Sequence, residues 1–218
     1  MDILITGTSD GIGRVTAEYF LERGHSVVGF DRKPPALAHP NYRHEILDIC
    51  DADAYPEDVQ PEILINNAGV QDSGRDIEIN LMGTIRITEK YAIANPRIRA
   101  VVMVGSASAH TGSEFPEYAA SKGGLLTYTK NAALRLAPRA VCNSIDPGGV
   151  LTDLNRPVME DPELWDQIMA LTPLRRWATP EEIAEWIYFV GVRNRFMTGQ
   201  NLLIDGGEAG DAHFVWKD

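Results

Sequence analysis

Two side chains in the stretch EYAASKGGL, Tyr118 and Lys122, could move a proton. The run reads as helix, and a spacing of four sets both on one helical face, one turn apart. A free tyrosine titrates at about 10 and is a poor base at neutral pH. A cation held beside it favours the phenolate. Lowering the phenol by two or three units needs about 3–4 kcal/mol, which an ammonium in a half-buried site can supply. The spacing alone is weak evidence, since a packed ring and a solvated amine share many helices.

A second group reads as a phosphate cradle. TGTSDGIGR (6–14) follows the apolar run ILIT and precedes a helical pattern at 14–24. Gly7, Gly11 and Gly13 allow a tight turn, close backbone approach and close helix packing, and the positive helix end suits a pyrophosphate. A second strand then ends in Asp31, whose carboxylate can accept both ribose hydroxyls of an adenosine. The same carboxylate repels a 2′-phosphate by on the order of a few kcal/mol if partly shielded. NAD(H) is therefore expected over NADP(H), although Arg14 and Arg32 could each neutralise a phosphate.

Strand and helix alternate along the chain to position these groups. Apolar runs at 3–6, 26–30, 42–47, 62–66, 98–105, 140–145 and 200–204 predict strands. Helical patterns stand at 14–24, 76–94, 118–137 and 180–191, the last opened by Thr179-Pro180-Glu181-Glu182, a cap followed by proline and acids. Continuous apolar strands between helices predict a parallel sheet covered on both faces, a doubly wound α/β fold. No repeat or linker divides the chain, so residues 1–218 read as one Rossmann-type domain. Pro56 and Pro61 leave room for only one or two helical turns before the fourth strand.

Seven motifs in order carry a resemblance: TGTSDGIG (6–13), NNAG (66–69), IEINLMGT (77–84), VVMVGSASA (101–109), YAASK (118–122), NSIDPGGVLT (143–152) and TGQNLLIDGG (198–207). The chain resembles the small, single-domain short-chain dehydrogenases/reductases over nearly its whole length. The resemblance implies a three-layer sandwich with seven parallel strands in the order 3-2-1-4-5-6-7. It implies hydride transfer between nicotinamide and a secondary alcohol or ketone. In that family pattern Tyr118 is the acid/base, Lys122 its lysine, Ser106 the serine that holds the substrate oxygen, and Asn80 the anchor of a proton-relay water. Cofactor contacts are implied for Gly7, Ser9, Asp10, Gly11, Ile12, Gly13, Asp31 and Arg32. They are implied also for Asp48 at the adenine amine, Ile49 along the ring, and Asn67, Ala68 and Gly69 by the adenosine. Pro147, Gly148, Val150 and Thr152 would receive the carboxamide and a phosphate, and Ala119 and Ala120 would leave room for the ribose. A homotetramer or homodimer built on helices 76–94 and 118–137 is also implied.

The chain departs from that pattern in three short segments: Asp48 to Asn66, Gly69 to Asn80, and Ser106 to Tyr118 by one residue. The last deficit belongs in SEFPE (113–117), with Ser108 the alternative serine if the register shifts. Residues 153–172 read as a substrate lid carrying Met159, Leu164, Trp165 and Met169 as apolar contacts. Arg156 could pair an acidic substrate. His110, Glu114 and Phe115 flank the site in sequence, His110 as a polar loop residue. The tail, with Phe214, Val215 and Trp216, is expected to dock.

A formal net charge of -11 makes nucleic acid and anionic membranes poor partners. Cys50 and Cys142 read as buried free thiols, with no spacing for a metal or a disulfide framework. No basic leader precedes the first strand and no apolar run approaches a membrane span, so a cytoplasmic location is expected. A protein that only senses NAD is the alternative, against which the full Tyr, Lys, Ser and Asn set argues. An epimerase or dehydratase on a related scaffold normally carries a longer C-terminal region.

Overall fold

Seven parallel strands form one sheet in the computed structural model, which describes residues 1–113 and 115–210. They are β1 (Asp2–Thr6), β2 (Ser26–Asp31), β3 (Tyr42–Ile46), β4 (Ile63–Asn66), β5 (Ala100–Val104), β6 (Val141–Pro147) and β7 (Asn201–Ile204). Their order is β3-β2-β1-β4-β5-β6-β7, as expected from the resemblance. Between them run α1 (Gly11–Leu21), α2 (Thr84–Thr88), α3 (Ser108–Thr111), α4 (Pro116–Leu136), α5 (Arg156–Met159), α6 (Pro162–Leu171) and α7 (Pro180–Tyr188). The order reverses between β1 and β4, and a ligand crevice opens at the carboxyl ends of strands flanking such a point.

Alternation along the strands divides the core. Leu4, Leu64, Val101 and Met103 face one layer with Ile87 of α2 and Ala132 and Leu136 of α4. Ile3, Ile5, Ile63, Ile65 and Val102 face the other with Phe20 of α1 and Ile183 and Ile187 of α7. Both sets are buried, because helices cover both faces of a parallel sheet. None of the described helices is long and apolar enough to cross a membrane.

Four local features differ from the sequence expectation. Helix α1 begins at Gly11 rather than near Arg14, so Gly11 and Gly13 lie in its first turn. Residues 77–93 are helical as expected, but α2 is flanked by wider π-helical turns, Ile77–Gly83 and Glu89–Ile93. A short helix, α3, follows β5 and ends at Gly112, whose φ of 69° is left-handed. Cys142 is buried as expected, whereas Cys50 is only half-buried in the loop after β3; both are free. The segment holding Pro56 and Pro61 has one 3₁₀ turn, Ala52–Ala54. Thr179 and Glu182 form a reciprocal capping box at the start of α7. Glu114 and the tail with Phe214, Val215 and Trp216 lie outside the described residues.

Helix α1 docks on the sheet only because residue 13 has no side chain. A Cβ there would overlap the Gly7 carbonyl oxygen and the Asn67 amide. Gly13→Ala is expected to lose about 1–3 kcal/mol of stability by overpacking, read as a lower urea unfolding midpoint with an unchanged m-value.

Candidate active site

Tyr118 is the third residue of α4, and Lys122 follows one turn later on the same face. The lysine is only 5% exposed, and its Nζ donates to the Val104 carbonyl at the end of β5, 2.9 Å away. Burial lowers its pKa from 10.5 to about 8, against the opposing negative charges of Asp146 and Asp76. The ammonium lies 5.7 Å from the centre of the Tyr118 ring.

Burial raises the Tyr118 phenol above its ordinary range, a hydrogen bond with Ser106 opposes this, and the charge of Asp76 adds to the rise. The expectation that Lys122 makes the phenol acidic is therefore corrected for the chain's own groups. Desolvation wins, because the ammonium is turned to Val104 rather than to the phenol oxygen. The Ser106 register meets Tyr118. Ser108, the alternative, opens α3 and donates its backbone N–H to Ser106 Oγ at 3.2 Å.

Asn80 sits in the first π-helical segment and is 1% exposed. Its Nδ2 donates to the Val70 carbonyl and to Ser121 Oγ, and its Oδ1 accepts from Val70 N–H. Ser121 in turn donates to the Tyr118 carbonyl at 2.7 Å. Asn80 thus clamps the loop after β4 to the first turn of α4. Both its amide hydrogens are spent, so only its acceptors remain for a water. Gly69 closes against this group: a Cβ there would stand 3.1 Å from Asn80 Oδ1 and 3.5 Å from Lys122 Nζ.

The glycine turn opens beside it. Gly7 has φ 78°, and a Cβ there would lie 2.8 Å from Asn67 Nδ2. No side chain caps α1 and no acid stands in its first turn, so the positive helix end is available to an anion. Around Gly11 the nearest neighbour of a notional Cβ is the Thr152 methyl, 3.7 Å away, which brings the segment after β6 to the cradle. These features fit a dinucleotide: an uncapped 11-residue helix, a glycine-lined mouth and an acid at the end of β2.

Asp31 accepts backbone N–H bonds from Ser9 and Lys33, both at 2.9 Å. Ser9 Oγ donates to the Pro34 carbonyl, and Lys33 pairs with Asp10 at 2.5 Å. Arg32 approaches Asp48 at 4.0 Å, and Asp48 accepts from Cys50 N–H. Pro147 accepts from Ala107 N–H at 2.7 Å, and Gly148 backs onto Asp205. Three of the expected cofactor residues also make contacts within the protein. Ile49 packs in the core against Gly83, and Val150 is 3% exposed in the opposite core. Asn67 directs its amide inward to the Thr6 and Gly7 carbonyls, at 3.0 and 3.2 Å. Ile12 packs on the α1 face of the sheet and Ala68 on the other.

The region 153–172 comprises a 3₁₀ turn, Asp153–Asn155, then α5 and α6. Arg156 pairs with Asp153, and Trp165 meets Trp177 edge-on at 5.0 Å.

Two residues of this site carried no sequence expectation. Asp76, fully buried, accepts from Asp72 N–H and from both donors of Ser73. Asp146, also fully buried, accepts from His110 Nε2 at 2.7 Å. His110 is therefore more than a polar loop residue. The one available signal was an acid inside the apolar strand VCNSIDP.

Known proteins similar to this chain include reductases and dehydrogenases. A family profile described as enoyl-(acyl carrier protein) reductase matches residues 60–208. The 3-oxoacyl-[acyl-carrier-protein] reductase FabG of Thermotoga maritima is 29% identical, over 94% of this chain and 96% of its own length. The ligand-free aldohexose dehydrogenase of Thermoplasma acidophilum superposes with a TM-score of 0.88 at 27% identity, covering 100% of this chain and 97% of that one. A 4-hydroxyisoleucine dehydrogenase complexed with NADH gives a TM-score of 0.89 at 26% identity, covering 97% and 99%.

The buried lysine has a consequence for stability. The unfolded chain holds the Lys122 proton up to about 10.5, whereas the folded chain releases it at about 8. Between those values the unfolded state binds more protons, so this group's contribution to stability rises with pH. Lys122→Met removes that dependence. The variant is expected to be more stable than the parent at pH 7, by a margin that shrinks between pH 8 and 10.5. Paired urea titrations across that range check this.

Proposed function

The chain belongs to the short-chain dehydrogenase/reductase family and is an NAD(P)-dependent oxidoreductase, and we propose that it interconverts a secondary alcohol and its ketone with Tyr118 as acid/base. The observation that carries this reading is the convergence of Ser106, Tyr118, Lys122 and Asn80 beside the glycine turn. Nicotinamide, when bound, supplies or accepts the hydride. Gly7, Gly11, Gly13, Asp31 and Thr152 would hold the dinucleotide.

The substrate oxygen would sit between Ser106 Oγ and Tyr118 Oη. Burial keeps the phenol protonated near neutrality, which suits proton donation to a developing alkoxide during carbonyl reduction. Alcohol oxidation needs the phenolate, and Lys122 is the cation one turn away that favours it. Asn80 and Ser121 hold that turn of α4 in place.

NAD is the preferred cofactor in this reading. The Asp31 carboxylate at the end of β2 would repel a 2′-phosphate, and the nearby cations have partners: Arg14 with Glu18, Lys33 with Asp10, and Arg32 towards Asp48. The short segments before Asn80 and before Tyr118 would leave a more open mouth, which would suit a range of small alcohols and carbonyls. Exposed Met82 and Leu134 on the α2–α4 side support a homodimer or homotetramer, and two free cysteines suit a reducing cytoplasm.

A panel of aldohexoses, simple secondary alcohols, ketones and 3-oxoacyl thioesters, read by NADH absorbance, tests the reaction. Tyr118→Phe is expected to lower kcat by roughly 10²–10⁴-fold while the NADH dissociation constant stays within about twofold. Full activity of that variant would refute the role of Tyr118, and inactivity on the whole panel with tight NAD binding would favour a sensor. The ratio of kcat/KM for NAD to that for NADP is expected to exceed about tenfold, and Asp31→Ser to reduce it.

A further inference from the structure

Asp146 lies in the motif NSIDPGGVLT without an assigned role, yet its buried carboxylate lies directly under the turn that carries Ser106. Ile145 pairs with Val104 across β5 and β6, and Gly105 N–H donates to the Ile145 carbonyl at 2.8 Å. Two residues on, Ala107 N–H donates to the Pro147 carbonyl. Asp146 is thus bracketed by the two bonds that tie residues 105–107 to β6. A Cβ on Gly105 would overlap Asp146 Oδ1, so the carboxylate occupies the space that residue 105 leaves free. Its Oδ2 accepts from His110 of α3, while the buried Oδ1 has no hydrogen-bond partner. Val104, whose carbonyl receives the Lys122 ammonium, precedes Gly105.

We propose that Asp146, steadied by His110, is the buried counter-charge of the Lys122 ammonium and so a positioning residue for the proton-transfer step. Burial pushes the Asp146 carboxyl above its ordinary range, and its charged form depends on neighbours that oppose that rise. The groups facing it are His110 from α3, Lys122 from α4 and the Ser144 hydroxyl along β6. The negative charges of Asp146 and Asp76, both fully buried, in turn oppose the loss of the Lys122 proton. His110 is 27% exposed in its side chain and links the buried acid to the surface.

The proposal rests on the catalytic reading of Tyr118 and Lys122, so its test has one arm that needs no turnover. The ¹³C shift of the Asp146 carboxyl is followed against pH in the full chain and in Lys122→Met. Loss of the ammonium is expected to move protonation of Asp146 to higher pH, because coupling between two sites is reciprocal. An unmoved titration overturns the pairing, even if the enzyme is active. In the second arm the pH profile of kcat for alcohol oxidation is compared with that of Asp146→Asn. Neutralising the carboxylate removes support for the ammonium, so the alkaline limb is expected to move acidward by about half a unit or more. A uniform fall in kcat with an unmoved limb would mean a packing role only and would overturn the proposal. If Asp146→Asn does not fold, the carboxyl titration alone decides. An inactive parent enzyme would remove the catalytic reading and leave the charge pair to that titration.

Discussion

An ammonium held out of water at the carboxyl edge of a parallel sheet is the constraint around which this site is arranged. Burying Lys122 opposes its charge strongly enough to bring its pKa to about 8. The charge is tolerable because a strand-end carbonyl accepts one of its hydrogens and two buried acids lie near it. Those partners come from β5, β6 and the loop before the first π-helical segment. The environment of the lysine is therefore assembled from several elements at once.

Close backbone approach makes this convergence possible. Gly13 lets α1 settle on the glycine turn, Gly69 leaves space against Lys122 and Asn80, and Gly105 gives its side-chain volume to Asp146. In each case the missing Cβ is replaced by a polar group of another element. Asn67 and Asn80 stitch the same region together through carboxamides that bond neighbouring backbone. The pre-organisation that an acid/base residue needs comes from these short contacts as much as from the reacting residues.

The phenol shows which effect wins when two compete. A lysine at helical spacing argues for an acidic tyrosine, and burial argues for the opposite. With the ammonium directed at a main-chain carbonyl, burial prevails. The phenol therefore rests protonated, and only added positive charge near it would favour the phenolate.

Periodicity and turn chemistry are local properties, and they were enough for much of this protein. The strands, the glycine turn, the acid ending β2, the capped start of α7 and the tyrosine–lysine pair could all be read along the chain, because each depends on residues within one or two turns of each other. The strand order came through likeness to a family whose motifs recur in sequence order. Other features depended on atoms distant in sequence. Burial of Ile49 and Val150, the inward turn of the Asn67 amide and the π-helical winding around α2 follow from how layers pack. The Asp146–His110 pair joins residues on different elements, and nothing in the local pattern of either announces the other. Residue types thus determined which chemistry was available, while tertiary packing decided which charges meet out of water, because desolvation and Coulomb energy depend on three-dimensional neighbours and not on spacing in the chain.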